Sequence, residues 1–382
     1  MPTMTSLEQI QADGHERVTI CHDSHTGLYA IIAIHSTKRG PALGGVRMWP
    51  YPSMEEALRD ALRLSKAMTF KAAVSRLPFG GGKAVIMADP VREKRPALLT
   101  AFGRLLNSLG GRYITAQDVG MTVQDMERIR RVTPYVTGTG VRRGGSGDPS
   151  EMTAIGVMHG MRAVVEELAG GSGGADCLRG VRVAIQGLGK VGYRLASLLH
   201  QEGADLIVTD LRQELTDRAG REFGAKVVGE NEIFETPCDL LAPCALGGTL
   251  NRTTIPHLRC RAVAGCANNQ LAEPEDGDRL HERGILYAPD FVINAGGLIN
   301  IAVGFGPSGY DQARAERRTR TISDSVKEVF RIAKARGCSA AEAAERLGED
   351  RLRSSPRRRA TDRSGSPQRR RVWDRSGHGR RA

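Results

Sequence analysis

Aromatic residues make up only 4% of the 382-residue chain, so its cores must be built from Leu, Val, Ile and Ala. No stretch approaches the ~18 apolar residues that a membrane span needs. The N-terminal MPTMTSLEQIQADGHE lacks the apolar region of a secretory signal. The cysteines at 21, 177, 238, 244, 260, 266 and 338 are odd in number and contain no C-x-x-C pair. Neither a disulfide framework nor a metal site is signalled, and a reducing cytoplasm is the expected setting.

Strong acidity is also missing, and the formal charge is +12. The excess is local. From Ser354 onward ten arginines face only Asp362 and Asp374, so this segment carries +8 and leaves +4 for the rest. The basicity belongs to an appendage. Residues 354–382 hold one aromatic, Trp373, and no apolar periodicity, and are expected to be a disordered Arg-rich tail. Such a tail attracts phosphate, yet it offers no stacking platform or base-reading element, so no specific nucleic-acid partner is expected.

A chain this long exceeds one ordinary core, and its patterning divides it. Residues 17–35 alternate around a turn at Ser24–Gly27 and read as a β-hairpin. A Gly/Pro-rich turn is expected at Gly40–Gly45, then a helix capped by Ser53 with apolar Ala57, Leu58, Ala61, Leu62 and Leu64. FGGGKA reads as a glycine-dense loop before a strand AVIMA, followed by a helix near 96–109 and a strand at Tyr113–Thr115. Gly, Ser and Pro at 137–150 mark a linker. Beyond it a helix is expected at Thr153–Leu168. Short apolar runs at 181–186, 206–210, 240–243, 262–266 and 285–289 then alternate with helices, which implies a parallel sheet. One helix is expected at 311–336 and another at Ala340–Leu347. The fold class is therefore α/β, with a first domain at 1–140, a parallel-sheet domain at 148–310 and C-terminal helices at 311–350.

Gly187-Leu188-Gly189-Lys190-Val191-Gly192 follows the run VRVAIQ and opens a helical stretch. In this context the glycines permit a tight turn, backbone approach to pyrophosphate and close helix–strand packing. Asp210 ends the next strand 23 positions after Gly187, where a carboxylate can accept from ribose hydroxyls and repel a 2′-phosphate. NAD is the expected cofactor, with Arg212 a residue that softens the preference against NADP. In the first half, Lys71, Lys83 and Asp118 stand among glycines and apolar residues. A lysine enclosed near a second cation loses its proton more easily, so one of the pair is expected to serve as a base and the other to grip a carboxylate.

Together GPALGGVRMWPY, AMTFKAA, FGGGKAVI, GRYITAQDVG, QGLGKVG, APCALGG, GCANNQL and YAPDFVINAGG resemble, in this order, the glutamate/leucine/phenylalanine/valine dehydrogenases, nearest to their leucine-type members. The likeness runs from about Val18 to about Arg351, and it implies a substrate and oligomerisation domain at 1–140, a Rossmann-type NAD-binding domain at 148–310 and C-terminal helices at 311–350 that pack back toward the first. It implies NAD-dependent, reversible oxidative deamination of a branched-chain L-amino acid, leucine first, to the 2-oxo acid, ammonium and NADH, by a homo-oligomer. By this resemblance Lys71 pairs with the substrate carboxylate, helped by Gly44, Gly45 and Met68. Lys83, as the low-pKa lysine, polarises the attacking water, and Asp118 carries protons. Asn268 or Asn269 lies near the nicotinamide or the amine, with Asn268 assigned to the cofactor and Asn269 to the substrate. Thr153 and Ala245 join the cofactor set.

Glutamate-specific relatives carry a lysine where this chain has Leu43, and a distal carboxylate left unpaired there costs several kcal/mol. The expected apolar pocket is Leu43, Ala116, Leu298 and Ile301, which suits leucine, isoleucine or valine better than phenylalanine. One methylene is worth only ~1–3 kcal/mol, so the aliphatic substrates overlap. Two departures bear on selectivity: Gly82 replaces the usual alanine of leucine-type members, and IAVGFGPSGYD lacks a common acidic pair. Valine- and phenylalanine-type activity are the alternatives. A non-catalytic dinucleotide-binding protein and a nucleic-acid-binding protein are more distant ones.

Overall fold

The computed structural model describes residues 11, 14–141, 144–171, 174, 176–305 and 309–354. The expected tail, apart from Ser354, lies outside the described residues, as does part of IAVGFGPSGYD. Two β-sheets, each backed by helices, give the α/β class. Among the described residues no helix is long and apolar enough to cross a membrane.

The first sheet has the order β1-β2-β4-β3-β5, formed by β1 (Arg17–Asp23), β2 (Leu28–Ser36), β3 (Ala42–Trp49), β4 (Gly80–Met87) and β5 (Tyr113–Gln117). β2 is antiparallel to β1 and β4, whereas β3 runs parallel to β4 and β5. Helix α1 (Met54–Val74) crosses this sheet. Ser53 caps it by accepting from Glu56 N, and Ala57, Leu58, Ala61 and Leu62 face the sheet. Each buried leucine contributes about 2 kcal/mol.

Two glycine stretches expected as turn and loop are strand instead: Gly44 and Gly45 lie in β3, and Gly80, Gly81 and Gly82 open β4. Their role is close approach rather than flexibility. A Cβ on Gly81 would lie 2.1 Å from Thr69 N, and one on Gly44 would lie 1.8 Å from Gly82 O. Without side chains, β3 and β4 can pass directly beneath α1, so Lys71 on the helix and Lys83 on β4 open into one cleft.

Helix α2 (Pro96–Ser108) leads to β5, and α3 (Val123–Arg130) follows, closed by a capping box between Thr122 and Asp125. Helix α4 (Ser150–Leu168) starts three residues before the expected Thr153, because Asp148 accepts from the Ser150 amide at 2.9 Å and its hydroxyl at 2.6 Å.

The second sheet is parallel throughout, in the order β11-β10-β9-β6-β7-β8. Its strands are β6 (Arg182–Gln186), β7 (Asp205–Thr209), β8 (Lys226–Val227), β9 (Leu240–Pro243), β10 (Ala262–Val263) and β11 (Leu286–Tyr287). The last two are shorter than their apolar runs, and β8 carried no recognisable pattern. α5 (Lys190–Gln201) and α6 (Gln213–Phe223) are the crossovers after β6 and β7. The chain reverses its direction across the sheet between β6 and β9, and a crevice opens beyond their carboxyl ends.

Helices α7 (Glu232–Glu235), α8 (Asp276–Glu282), α9 (Asp290–Ile293) and α10 (Gly296–Gly304) complete this half. The single helix expected at 311–336 is two, α11 (Gln312–Arg320) and α12 (Ile322–Arg336). They meet at Thr321, whose hydroxyl bonds back to Arg318 O at 2.7 Å. α13 (Ala340–Arg353) returns to the end of α1. There Arg351 bonds Val74 O and Glu328, and Ser325 also reaches Val74 O, at 3.0 Å.

Candidate active site

A cavity of about 220 Å³ lies between the two sheets. α1 supplies Met68 and Lys71, β4 supplies Lys83, and Ala116 and Asp118 come from β5 and the turn after it. From the opposite side Asn268, Asn269, Leu298 and Ile301 close it, and Gly45 completes the set. Residues more than two hundred positions apart thus share one wall. Leu43 and Gly44 do not line this cavity. Leu43 is wholly buried in the core cluster that also holds Ala116, Leu298 and Ile301. As an interior position in a strand paired on both sides, its side chain stays in the packed layer.

Electrostatics separates the lysines. Lys83 Nζ forms an ion pair with Asp118 Oδ2 at 2.5 Å, and Arg47 Nε adds a second at 3.1 Å. Burial pushes the Asp118 carboxyl up, but Lys83 and Arg47 outweigh it and hold the group down at about 2. Among the described residues Lys71 has no carboxylate in direct contact. Its Nζ donates to Asn294 Oδ1 at 2.5 Å, while Asn294 Nδ2 donates to Asn268 Oδ1 at 2.9 Å and Cys266 O at 3.1 Å. Burial lowers the Lys71 ammonium to about 8; Asp290 opposes this and the charge of Lys83 adds to it. Burial thus pushes Lys71 toward neutrality, whereas Lys83, the lysine the sequence marked as the base, holds Asp118 as a direct counter-ion. The reason is the missing partner: Asp118 is spent on Lys83 and Arg47.

Several cavity residues escaped the sequence reading. Arg47, Asp290, Phe291 and Leu64 line it, and Asn294 stands behind Lys71. Asp290 accepts from Gln270 N at 3.1 Å and Phe291 N at 2.6 Å, and burial lifts its carboxyl above the usual range. A charged residue inside an apolar motif, as in GGVRMWPY and YAPDFVINAGG, was the available signal. Asn269 adopts φ +52, a left-handed conformation that asparagine tolerates better than most residues. Gly82 has a local explanation too, since a Cβ there would stand 2.8 Å from the ring of Tyr113. The Tyr113 hydroxyl is bonded to Gly44 O at 2.9 Å and Gly45 O at 3.1 Å.

A larger, more open cavity of about 1020 Å³ lies at the crevice of the parallel sheet, lined by Leu188, Gly189, Lys190 and Arg212 among others. Gly187 has φ +98, and a Cβ on it would lie 2.7 Å from that of Ala245. One on Gly192 would lie 2.0 Å from Gly187 O, whereas one on Gly189 would meet nothing within 4 Å. Gly187 and Gly192 thus make the turn, and Gly189 leaves space above the first turn of α5 that a pyrophosphate fits. Val191 packs on the core, and Lys190 pairs with Asp148 at 2.9 Å. Asp210 accepts from Leu188 N at 2.6 Å through Oδ2 and from Arg212 N at 2.9 Å through Oδ1. Thr153 lies in α4, its hydroxyl on Pro149 O at 3.0 Å, and is not among the residues lining either cavity.

Residues 15–135 match the Glu/Leu/Phe/Val dehydrogenase dimerisation domain. Residues 144–220 and 208–359 match the glutamate/leucine/phenylalanine/valine dehydrogenase family. The chain is 50% identical over 357 residues to leucine dehydrogenase of Geobacillus stearothermophilus, covering 94% of this chain and 96% of that protein. It is 44% identical to the crystal structure of L-tryptophan dehydrogenase from Nostoc punctiforme, with a TM-score of 0.80 over 91% of this chain and 99% of that one. A hetero-hexameric glutamate dehydrogenase from Thermus thermophilus, in a leucine-bound form, matches at 25% identity and a TM-score of 0.72, covering 92% and 95%.

Proposed function

The chain belongs to the glutamate/leucine/phenylalanine/valine dehydrogenases, and we propose that it oxidatively deaminates branched-chain L-amino acids, leucine foremost, to 2-oxo acids with reduction of NAD. The observation that carries this reading is the joint cavity, where two lysines and an aspartate stand beside the apolar side chains of Ala116, Leu298 and Ile301. The wall holds no cation for a distal carboxylate, which disfavours glutamate. The dimerisation-domain match and the hetero-hexameric relative favour an oligomer, and a homo-oligomer is the form proposed for this chain.

Bound at the Gly187–Gly192 turn, NAD supplies the hydride acceptor. Lys71 grips the substrate carboxylate, assisted by the Gly45 backbone and Met68, and fixes Cα for transfer. Its weak ground-state partner, a neutral amide, leaves the ammonium available for that carboxylate. Asp118 takes the proton that must leave the amine, and Lys83, its ion-pair partner, polarises the water that attacks the imine carbon. Asn268 and Asn269 stand at the junction of cofactor and amine. Holding the groups in one closed cleft orients them and removes bulk water. Asp210 would hold the ribose, with Ala245 packed against the turn at Gly187.

The test is NADH absorbance with leucine, isoleucine, valine, phenylalanine and glutamate supplied side by side. Turnover is expected with the three aliphatic substrates and little or none with glutamate. Inactivity with all three aliphatic amino acids would overturn the reading.

A further inference from the structure

We propose that Arg47 is the positioning residue of the Asp118 proton carrier, itself fixed from behind by Asp60 and Tyr51. The proposal rests on the reading of Asp118 made above.

Arg47 stands in β3 at the cavity wall and spans two carboxylates. Nε meets Asp118 Oδ2 at 3.1 Å, and Nη1 meets Asp60 Oδ2 at 2.8 Å. Asp60, on α1, also accepts from the Tyr51 hydroxyl at 2.6 Å and from Arg63 at 3.0 Å. Asp60 is therefore bonded whether or not Asp118 carries a proton, and Arg47 keeps its place through the reaction. The planar guanidinium suits this task, because two of its nitrogens point to two acceptors at fixed geometry.

Its constant charge matters as much. Lys83 pairs with the same Asp118 oxygen, and a lysine that hands on a proton ceases to be a counter-ion. Arg47 does not titrate in the working range. With Arg47 in place Asp118 keeps a permanently charged partner and remains a carboxylate, ready to accept, whatever protons move in the cleft. The Val119 amide also bonds this carboxylate, and Lys71 on α1 and the Tyr113 hydroxyl on β5 act on it from further away. Among the described residues, Arg47 alone is a direct partner with a permanent charge.

The experiment compares Arg47→Met, Arg47→Lys and Tyr51→Phe with the wild-type enzyme, reading the pH dependence of kcat at saturating NAD and leucine. Arg47→Met is expected to lower kcat at least about tenfold and to move its acid limb upward by about one pH unit. KM for NAD should not change. Arg47→Lys restores the position of the limb but not the full kcat, since an ammonium carries charge without the fork. Tyr51→Phe, which leaves every charge in place, lowers kcat modestly without moving the limb. A loss of packing alone would not displace a pH limb. A folded Arg47→Met enzyme with wild-type kcat and limb overturns the proposal. If that variant does not fold, unchanged kcat in both Arg47→Lys and Tyr51→Phe overturns it. A wild-type enzyme inactive on every aliphatic amino acid defeats the functional reading; an active wild type with indifferent variants defeats only this inference.

Discussion

Lys71 and Asn294 join the two halves of the molecule through one hydrogen bond, Nζ to Oδ1 at 2.5 Å, across 223 positions of sequence. The amide cannot neutralise the ammonium, so burial keeps Lys71 near 8 rather than at its ordinary value of 10.5. A bound carboxylate supplies the missing charge and should return the proton.

That relationship gives a pH prediction free of the substrate's own amine. An aliphatic acid without an amino group, such as 4-methylpentanoate, should inhibit with constant affinity below pH 8. Above that point Lys71 sheds its proton, and the inhibition constant should rise by about tenfold per pH unit. Inhibition independent of pH up to 10 would remove Lys71 as the anchor.

Lys71 also carries a stability signature. Its folded-state pKa lies below its unfolded value, so the folded chain binds fewer protons between about 8 and 10.5. Burying this charge costs stability below pH 8, and the cost is relieved as pH rises through that window. Lys71→Met should raise the melting temperature at pH 7 and flatten the dependence above pH 8. A melting temperature lowered at pH 7 would contradict this account.

Lys83→Ala should leave NAD binding intact, since the dinucleotide turn is remote, while turnover falls by about 10²–10⁴-fold. Cofactor fluorescence titration and NADH production separate the two effects. Wild-type turnover in this variant would sink the mechanism.

For cofactor choice, Asp210→Ala should raise KM for NAD far more than KM for NADP. The variant also removes the acceptor for Leu188 N and Arg212, so a melting curve must accompany the kinetics. An equal rise for both cofactors would remove Asp210 as the ribose-reading residue.

Gly81→Ala tests the close approach of α1 to β4. The new methyl would overlap the Thr69 backbone, and a rigid clash of this kind costs about 1–3 kcal/mol. The helix must shift to relieve it, displacing Lys71, so KM for the amino acid should rise together with the loss of stability in urea. Wild-type stability and KM would show that the approach is unimportant.

The α/β class, the strand–turn–helix at Gly187 and the gathering of Lys71, Lys83 and Asp118 around one cavity were legible in the sequence. Local rules suffice for these: alternation marks strands, three glycines at fixed spacing make one kind of turn, and a motif keeps its order along the chain. The glycines at 80–82 misled as a loop, because their purpose is close approach to Ser36, Thr69 and Tyr113 in turn, which linear sequence does not display. The tertiary structure alone decided that Leu43 lies behind the cavity wall. It also decided that Arg47, Asp290 and Asn294 belong to the site, and that Lys71 rather than Lys83 is the lysine left without a counter-ion. These are sums over desolvation and charge at distances of a few ångströms, and they take values only when segments hundreds of residues apart have been folded against one another.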